Sequence, residues 1–314
     1  MARMAPLALL PVLAALAVAA SGPAATNEWE QRASLPVPRT EVAAAVVGNE
    51  IAVVGGFNAD GSHSARADAY SPALDRWRRL PDLPASAHHA MAVGRAGRLY
   101  VLGGYGHAGN PLRTAYVLES GAWRPLPRLP FPRAAAGAAV VGNRIVVAGG
   151  VVRVSGARLA RNALAFDLRT RRWSVVPGPT PREHLGVAAL AGEVYAVAGR
   201  TSGLDTNVTH FESWRPGARL WRRLPPVPDP RGGTAATGIA GRVVSVGGEE
   251  PGGTIREVYA YRAATGTWQR LDDLPTPRHG LGVVAFGGRV FVIGGGAEPG
   301  LTVTGANEAL AVGG

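Results

Sequence analysis

The sequence repeats itself about every 48 residues. Six apolar runs end in a pair of small residues, and the second members of these pairs are Gly56, Gly104, Gly150, Gly199, Gly248 and Gly295. Tryptophan follows the same period, at Trp29, Trp77, Trp123, Trp173, Trp221 and Trp268. Self-similarity of this period indicates an architecture of stacked units, each one supersecondary motif.

Each unit contains four short strand patterns. In the first unit we predict strands at Val42–Val47, Ile51–Val54 and Ala67–Tyr70 and a fourth around Trp77, with a turn at Gly48-Asn49. The first two strands of each unit are almost wholly apolar or small, as buried strands are. The sequence therefore predicts an all-β fold, a six-bladed propeller with four antiparallel strands per blade.

The repeat resembles the Kelch family. The resemblance rests on the apolar run with its glycine pair, then an aromatic residue, then tryptophan seven residues later, as in IVVAGG…ALAFDLRTRRW and VVSVGG…VYAYRAATGTW. It covers residues 26–314, with Ala198 replacing one glycine. The resemblance implies that the Trp29 strand closes the ring by completing the last blade, beside a third-strand pattern at Asn307–Ala311.

The N-terminus has the pattern of an export signal. Arg3 supplies positive charge, Leu7 to Ala20 is apolar, and small residues follow. The apolar stretch is too short to span a bilayer and is interrupted by Pro11. We therefore expect residues 1–25 to be a cleaved signal peptide, residues 26–314 to be the propeller, and the product to be periplasmic or secreted, with no stable membrane insertion.

The composition excludes several kinds of functional site. The chain has no cysteine, which excludes disulfides, thiolate metal sites and the cysteine-dependent copper site of Kelch oxidases. The net charge of +11 comes entirely from arginine and is spread along the chain, without the basic runs typical of nucleic-acid binding. No pair of the seven histidines has helical metal-ligand spacing, and adjacent His88 and His89 are expected to point to opposite faces of an extended segment. We expect a monomer without metal or cofactor that does not bind nucleic acid.

An arginine recurs 17 residues before the second glycine of five units; the five are Arg39, Arg133, Arg182, Arg231 and Arg278. Blade two has Ala87 at this position, which we call the arginine register. Because strands 1 and 2 form a hairpin, the start of strand 1 and the end of strand 2 lie at the same end of the blade, so the arginines are predicted around one channel mouth. Two interpretations stay open: an anion site, or a structural tie from each blade to the next through backbone carbonyls.

The positions where the repeat breaks are the other candidates. Ligand-binding candidates besides the arginines are His89, Arg200 and Glu250, and candidates for acid–base catalysis are Glu41, His184 and Glu249. The leading hypothesis is a binding protein that engages an anionic small molecule, peptide or glycan at the mouth. The alternative is a sugar-acid mutarotase, since the Kelch resemblance extends to exported epimerases of the N-acetylneuraminate type.

Overall fold

The structure is a computed structural model, and it describes Met1, residues 28–156 and residues 158–313. The predicted signal peptide, apart from Met1, lies outside the described residues. Within them, the chain forms six four-stranded antiparallel sheets, which are the six predicted blades. No helix in these ranges is long and apolar enough to cross a membrane.

The strands follow the repeat closely. The chain starts with β1 (Trp29–Gln31), which belongs to blade six. Blade one contains β2 (Ala43–Val47), β3 (Glu50–Val54), β4 (Ala67–Ser71) and β5 (Arg76–Arg79). Blade two contains β6 (Met91–Arg95), β7 (Arg98–Leu102), β8 (Ala115–Glu119) and β9 (Ala122–Pro125).

Blades three to five carry small additions. Blade three contains β10 (Gly137–Val141), β11 (Arg144–Ala148), an extra hairpin of β12 (Val151–Arg153) and β13 (Arg158–Leu159), then β14 (Asn162–Asp167) and β15 (Arg172–Pro177). Blade four contains β16 (Gly186–Leu190), β17 (Glu193–Val197), a short 3₁₀ helix (Leu204–Thr206), β18 (Phe211–Trp214) and β19 (Arg222–Arg223). Blade five contains β20 (Ala235–Ile239), β21 (Arg242–Val246), the hairpin β22 (Glu249–Glu250) and β23 (Gly253–Thr254), then β24 (Val258–Arg262) and β25 (Thr267–Leu271).

Blade six joins the two ends of the chain. It contains β26 (Gly282–Phe286), β27 (Arg289–Ile293) and β28 (Asn307–Ala311), and β1 pairs with β28 as its fourth strand. Trp29 lies opposite Leu310 in this antiparallel pair. The closure implied by the resemblance is therefore confirmed, and it leaves no open edge between the first and last blades.

The hydrophobic core is divided into six clusters, each between two adjacent blades. The repeated tryptophan links each blade to the one before it: all six indole N–H groups donate to a backbone carbonyl of the preceding blade, at 2.7–3.1 Å. Each indole is thus partly buried between two blades, and its polar N–H is satisfied.

The small pairs link each blade to the next. The second glycine of every pair donates its backbone N–H to the carbonyl at the arginine register of the following blade, at 2.8–3.0 Å, and Gly295 closes the circle on Arg39. All twelve pair residues have positive φ, including Ala198 at 52°. A Cβ at Gly55 would lie 2.4 Å from the backbone oxygen of Ala87 in the next blade, and one at Gly56 would lie 2.4 Å from that of Thr40. Glycine is required here because it allows both the conformation and the close approach.

Candidate functional site

Six residues, one from each blade, surround one end of the central channel; together we call them the crown. They lie two residues beyond the arginine register, and they are Glu41, His89, Ala135, His184, Gly233 and Gly280. All six have positive φ, between 50° and 67°. They line a pocket of about 140 Å³ that opens at this end, which we call the crown face. The loops between strands 2 and 3 of every blade lie on the same face.

Backbone hydrogen bonds connect the crown residues in sequence. The N–H of His89 donates to Glu41, that of Ala135 to His89 and that of His184 to Ala135, at 2.8–3.1 Å. Gly233 and Gly280 continue the series, and Val42 closes it on Gly280 at 3.2 Å. The left-handed backbone costs a non-glycine residue on the order of 1–3 kcal/mol. Glutamate and histidine are therefore held here under strain, at positions where two blades use glycine.

Three crown side chains meet over the pocket. His89 Nε2 lies 3.0 Å from Glu41 Oε2 and 2.8 Å from His184 Nε2. The ligand atoms of all three residues lie within 4.8 Å of one another. The sequence predicted no metal site because no histidines have local ligand spacing, whereas the structure collects these groups from blades one, two and four.

A chain of charged groups extends from His184 along the crown face. His184 Nδ1 lies 3.1 Å from Glu183 Oε2, and Glu183 Oε1 accepts a hydrogen bond from Arg200 Nε at 3.1 Å. Arg200 also donates to Glu249 Oε1 at 2.9 Å. The guanidinium of Arg200 is therefore already paired with two buried carboxylates.

His279 closes this chain back to the crown. Its Nδ1 lies 3.6 Å from Glu249 Oε2 and 3.2 Å from Glu41 Oε1. A Cβ at Gly280 would lie 2.6 Å from Glu41 Oε1, so the glycine makes room for this carboxylate. The result is a closed circuit of seven titratable groups that involves five of the six blades.

Burial and neighbouring charges set the protonation of the circuit. Burial opposes ionisation of Glu41, but His89 and His279 outweigh it and hold the pKa of Glu41 well below its usual value. Burial lowers the pKa of His89, against the pull of Glu41. For His279 the balance is opposite: Glu41 and Glu249 overcome burial and raise its pKa. The site therefore presents a charged carboxylate beside an imidazole that favours its neutral form.

The expectation that His88 and His89 point to opposite faces is wrong. Their Nδ1 atoms lie 2.6 Å apart. The reason is the left-handed backbone of His89, whose φ of 52° breaks the alternation of an extended strand. His88 is packed against Phe57 and Tyr105, with ring centroids 3.9 and 5.2 Å away, and burial lowers its pKa to about 3.

The repeated arginines do not face the pocket. Their backbone lies at the predicted end of each blade, but all five side chains are 0% exposed and run inside the blades. Arg278 is typical: it donates to the carbonyls of Gly294 and Val292 at 2.8 Å and to Glu308 at 2.5 Å. Arg182 makes the equivalent contacts with Ala198, Ala196 and Glu212.

These contacts also correct the second interpretation from the sequence, in which each arginine side chain ties its blade to the next. The arginine side chain ties the start of strand 1 to strands 2 and 3 of its own blade, and the backbone carbonyl of the same residue accepts the bond from the neighbouring glycine. Arg39, Arg133 and Arg231 also bind carbonyls within their own blades. An arginine-rich mouth for an anion is therefore absent from this structure among the residues it describes.

The remaining site residues predicted from the sequence fall into two groups. His89, His184, Glu41, Glu249 and Arg200 are brought together at the crown face. Glu250 is exposed on the β22–β23 hairpin and stands outside the circuit. Glu183 was missed by the sequence analysis; the available signal was its place one residue beyond the arginine register, the position that His279 occupies in blade six.

The circle of blades and the polar crown define a class of protein, a six-bladed propeller with a small polar pocket at one channel mouth. The family model described as Kelch motif matches residues 38–84 and 132–180. The chain is a Kelch-repeat β-propeller.

Similar proteins support this assignment. The Kelch-like protein terF of Aspergillus terreus is 30% identical over 250 residues, which are 73% of this chain and 54% of that protein. Beta-scruin of Limulus polyphemus is 25% identical over 229 residues, 68% of this chain and 24% of that protein. This chain thus spans about half or less of the length of these relatives. The solved structure titled "Structure of YjhT" superimposes with a TM-score of 0.76 at 16% identity, over 87% of this chain and 95% of that one.

Proposed function

We propose that this Kelch propeller is an interaction module that docks a partner protein on its crown face. The observation that carries the proposal is the concentration of non-repeated features at this one end. The β12–β13 and β22–β23 hairpins, the 3₁₀ helix of blade four and the polar circuit all lie there. None of them is needed to build a blade, since the remaining blades close without them.

Exposed apolar side chains on the same face favour a protein as the partner. Phe131 precedes strand 1 of blade three, Val154 lies in the β12–β13 hairpin and Leu301 lies in the loop of blade six; they are 44%, 49% and 53% exposed. Leu74 and Leu220 are exposed at the opposite end as well, so what favours a protein partner here is that the three side chains of the crown face stand around the pocket. The pocket of about 140 Å³ below them takes a small group of the partner.

The anionic ligand expected from the sequence gains no support from the geometry. The five repeated arginines are buried, and Arg200 already binds Glu183 and Glu249. An anion entering the pocket meets the Glu41 carboxylate instead. To the metal-free crown, the proposed partner therefore presents a neutral or positively charged group.

Site-specific photo-crosslinking tests the docking proposal. A photoreactive amino acid is placed at Val154 or Leu301 and, as matched controls, at the exposed Leu74 or Leu220 in the turns at the opposite end of the blades. In cells of the source organism, the crown-face positions are expected to give one discrete adduct of the same partner. Adducts confined to the control positions, or no adduct at any position, would exclude docking on this face.

Catalysis by a sugar-acid mutarotase is the second candidate, because Glu41, His184 and Glu249 do share one circuit with Arg200. General acid–base catalysis requires such groups within hydrogen-bond reach of the sugar. The test is the rate of anomer equilibration of N-acetylneuraminate followed by NMR, with Glu41→Gln as the variant. Acceleration by the wild type that the variant loses supports catalysis, and no acceleration across several sugar acids excludes it.

Export remains part of the proposal. The N-terminal pattern of residues 1–25 supports a periplasmic or secreted product. Fractionation followed by N-terminal sequencing of the mature protein tests it: a new N-terminus near residue 26 outside the cytoplasm is expected, and a full-length cytoplasmic chain contradicts export.

A further inference from the structure

The contacts around the crown histidines leave their Nε2 atoms facing each other. His184 Nδ1 lies 3.1 Å from Glu183 Oε2, and this charge contact favours the tautomer that is protonated at Nδ1 and has a lone pair on Nε2. When His89 likewise donates from Nδ1 to His88, its own Nε2 carries a lone pair. Two lone pairs 2.8 Å apart then face a carboxylate oxygen 3.0 Å away. In that tautomer a cation between the three atoms offsets their repulsion, whereas a proton on His89 Nε2 that is donated to Glu41 satisfies them without a metal.

The donor set fits a divalent transition metal. Two imidazoles and one carboxylate are the protein ligands of one class of zinc site, in which a fourth position stays open. Ligand atoms about 2.0–2.2 Å from a tetrahedral ion are roughly 3.3 Å apart. The two separations from His89 Nε2, 2.8 and 3.0 Å, differ from this value by a few tenths of an ångström, and the ligand atoms of His184 and Glu41 lie within 4.8 Å of each other.

Outer contacts position each ligand, as they do in known metal sites. His88 holds the far nitrogen of His89, Glu183 holds that of His184, and His279 lies beside the second oxygen of Glu41. Arg200 in turn holds Glu183. The backbone bonds that link the crown residues fix the three Cα positions.

The ligand positions also have access and no scaffold role. The three side chains are 9–12% exposed and line the open pocket, so an ion can enter from the crown face. At the equivalent positions blades three, five and six have alanine or glycine, which shows that the propeller closes without a side chain there.

We propose that Glu41, His89 and His184 bind a divalent transition-metal ion, best matched to Zn²⁺, with the open coordination position facing the pocket. The site goes beyond partner docking and does not depend on it. An ion here would reverse the local charge, so that a metal-bound pocket accepts an anionic oxygen that the metal-free pocket repels.

Metal titration of the purified chelator-treated protein tests the site. We expect one equivalent of Zn²⁺ by metal analysis after dialysis, and one equivalent of Co²⁺ with the visible absorption of a four-coordinate ion. His184→Gly is expected to lose this equivalent. The substitution reproduces the residue of blades five and six, so it is compatible with folding, which thermal unfolding monitored by circular dichroism verifies.

Two further variants separate this site from other histidines. Glu183→Gln should keep the stoichiometry and weaken Zn²⁺ binding about 10–100-fold, as loss of an outer contact does. His107→Ala removes an exposed histidine of the crown face that lies beside His63 and should change nothing. Wild-type binding no greater than that of His184→Gly means that a proton alone bridges the cluster, and overturns the proposal. Loss of the equivalent in His107→Ala overturns it as well.

Discussion

The arginine register and the crown lie two residues apart in every blade, yet they have opposite properties. The register repeats in five blades, its side chains are fully buried, and several of them are paired with carboxylates or carbonyls of their own blade. The crown varies from blade to blade, and its three polar side chains face a pocket. Residues that repeat serve the scaffold, which every blade needs equally. Residues that break the repeat create an asymmetric set of groups, which a site requires.

The largest loss of stability should come from breaking a buried ion pair made by an arginine of the register. Arg278→Met leaves the fully buried Glu308 without its cation. Removing one partner of a buried ion pair costs about 3–5 kcal/mol. Chemical denaturation should show this loss, while Arg78→Met, which breaks an exposed pair with Glu50, should cost less than about 1 kcal/mol. Similar losses for the two variants would contradict a scaffold role for the register.

An intermediate effect should appear in the pH dependence of stability. Burial opposes ionisation of Glu212, but Arg182 outweighs it and lowers the pKa of this carboxyl in the folded state. The pair therefore stabilises the fold above the unfolded-state pKa of about 4.3, and this contribution is lost as the pH falls through the lower folded-state pKa.

The variant Glu212→Gln measures that contribution. At pH 7 it should be about 1–3 kcal/mol less stable than the wild type, because a charged acceptor of Arg182 is replaced by a neutral one. The difference should shrink as the pH falls below about 4, where the wild-type carboxyl begins to protonate. A difference that is independent of pH between 7 and 3 would argue against an ionised pair.

The smallest effect should come from the crown, and with the opposite sign. His184→Gly removes left-handed strain at φ 51°, so the metal-free variant should be more stable than the wild type by about 1 kcal/mol. His210 is the matched control, since it is an exposed histidine without positive φ and does not line the pocket. His210→Gly should lose about 0.5–1 kcal/mol through chain entropy. Destabilisation of both variants alike would mean that the crown histidine is scaffold.

The fold could be predicted from the sequence because the same local pattern of strands and turns occurs six times. The period gave the number of blades, and the Asn307–Ala311 pattern gave β28 with the observed bounds. The pairing of β1 with β28 was implied by the Kelch resemblance, because the Trp29 strand is unmatched at one end of the repeat and the last unit has no tryptophan strand at the other.

The candidate site could be predicted from the sequence only in part. The sequence singled out Glu41, His89 and His184 as positions where the repeat breaks, but did not predict that they converge. Convergence depends on the left-handed backbone, which glutamate and histidine rarely adopt and which no local pattern signals here. The repeated arginines are fully buried inside the blades, so the sequence predicted the end of the blade at which they begin but not the direction of their side chains.

Backbone hydrogen bonds join the crown residue of each blade to that of the next blade. The number of blades therefore sets the circumference of the channel mouth. Each blade adds one residue to this closed path, so the circumference is fixed by counting blades. Ala135, the small residue of blade three, lets the imidazoles of blades two and four meet across it. With a seventh blade the same side chains would stand further apart, and the three ligand atoms would no longer lie within 4.8 Å. In this protein the count of repeats sets a distance between reactive atoms.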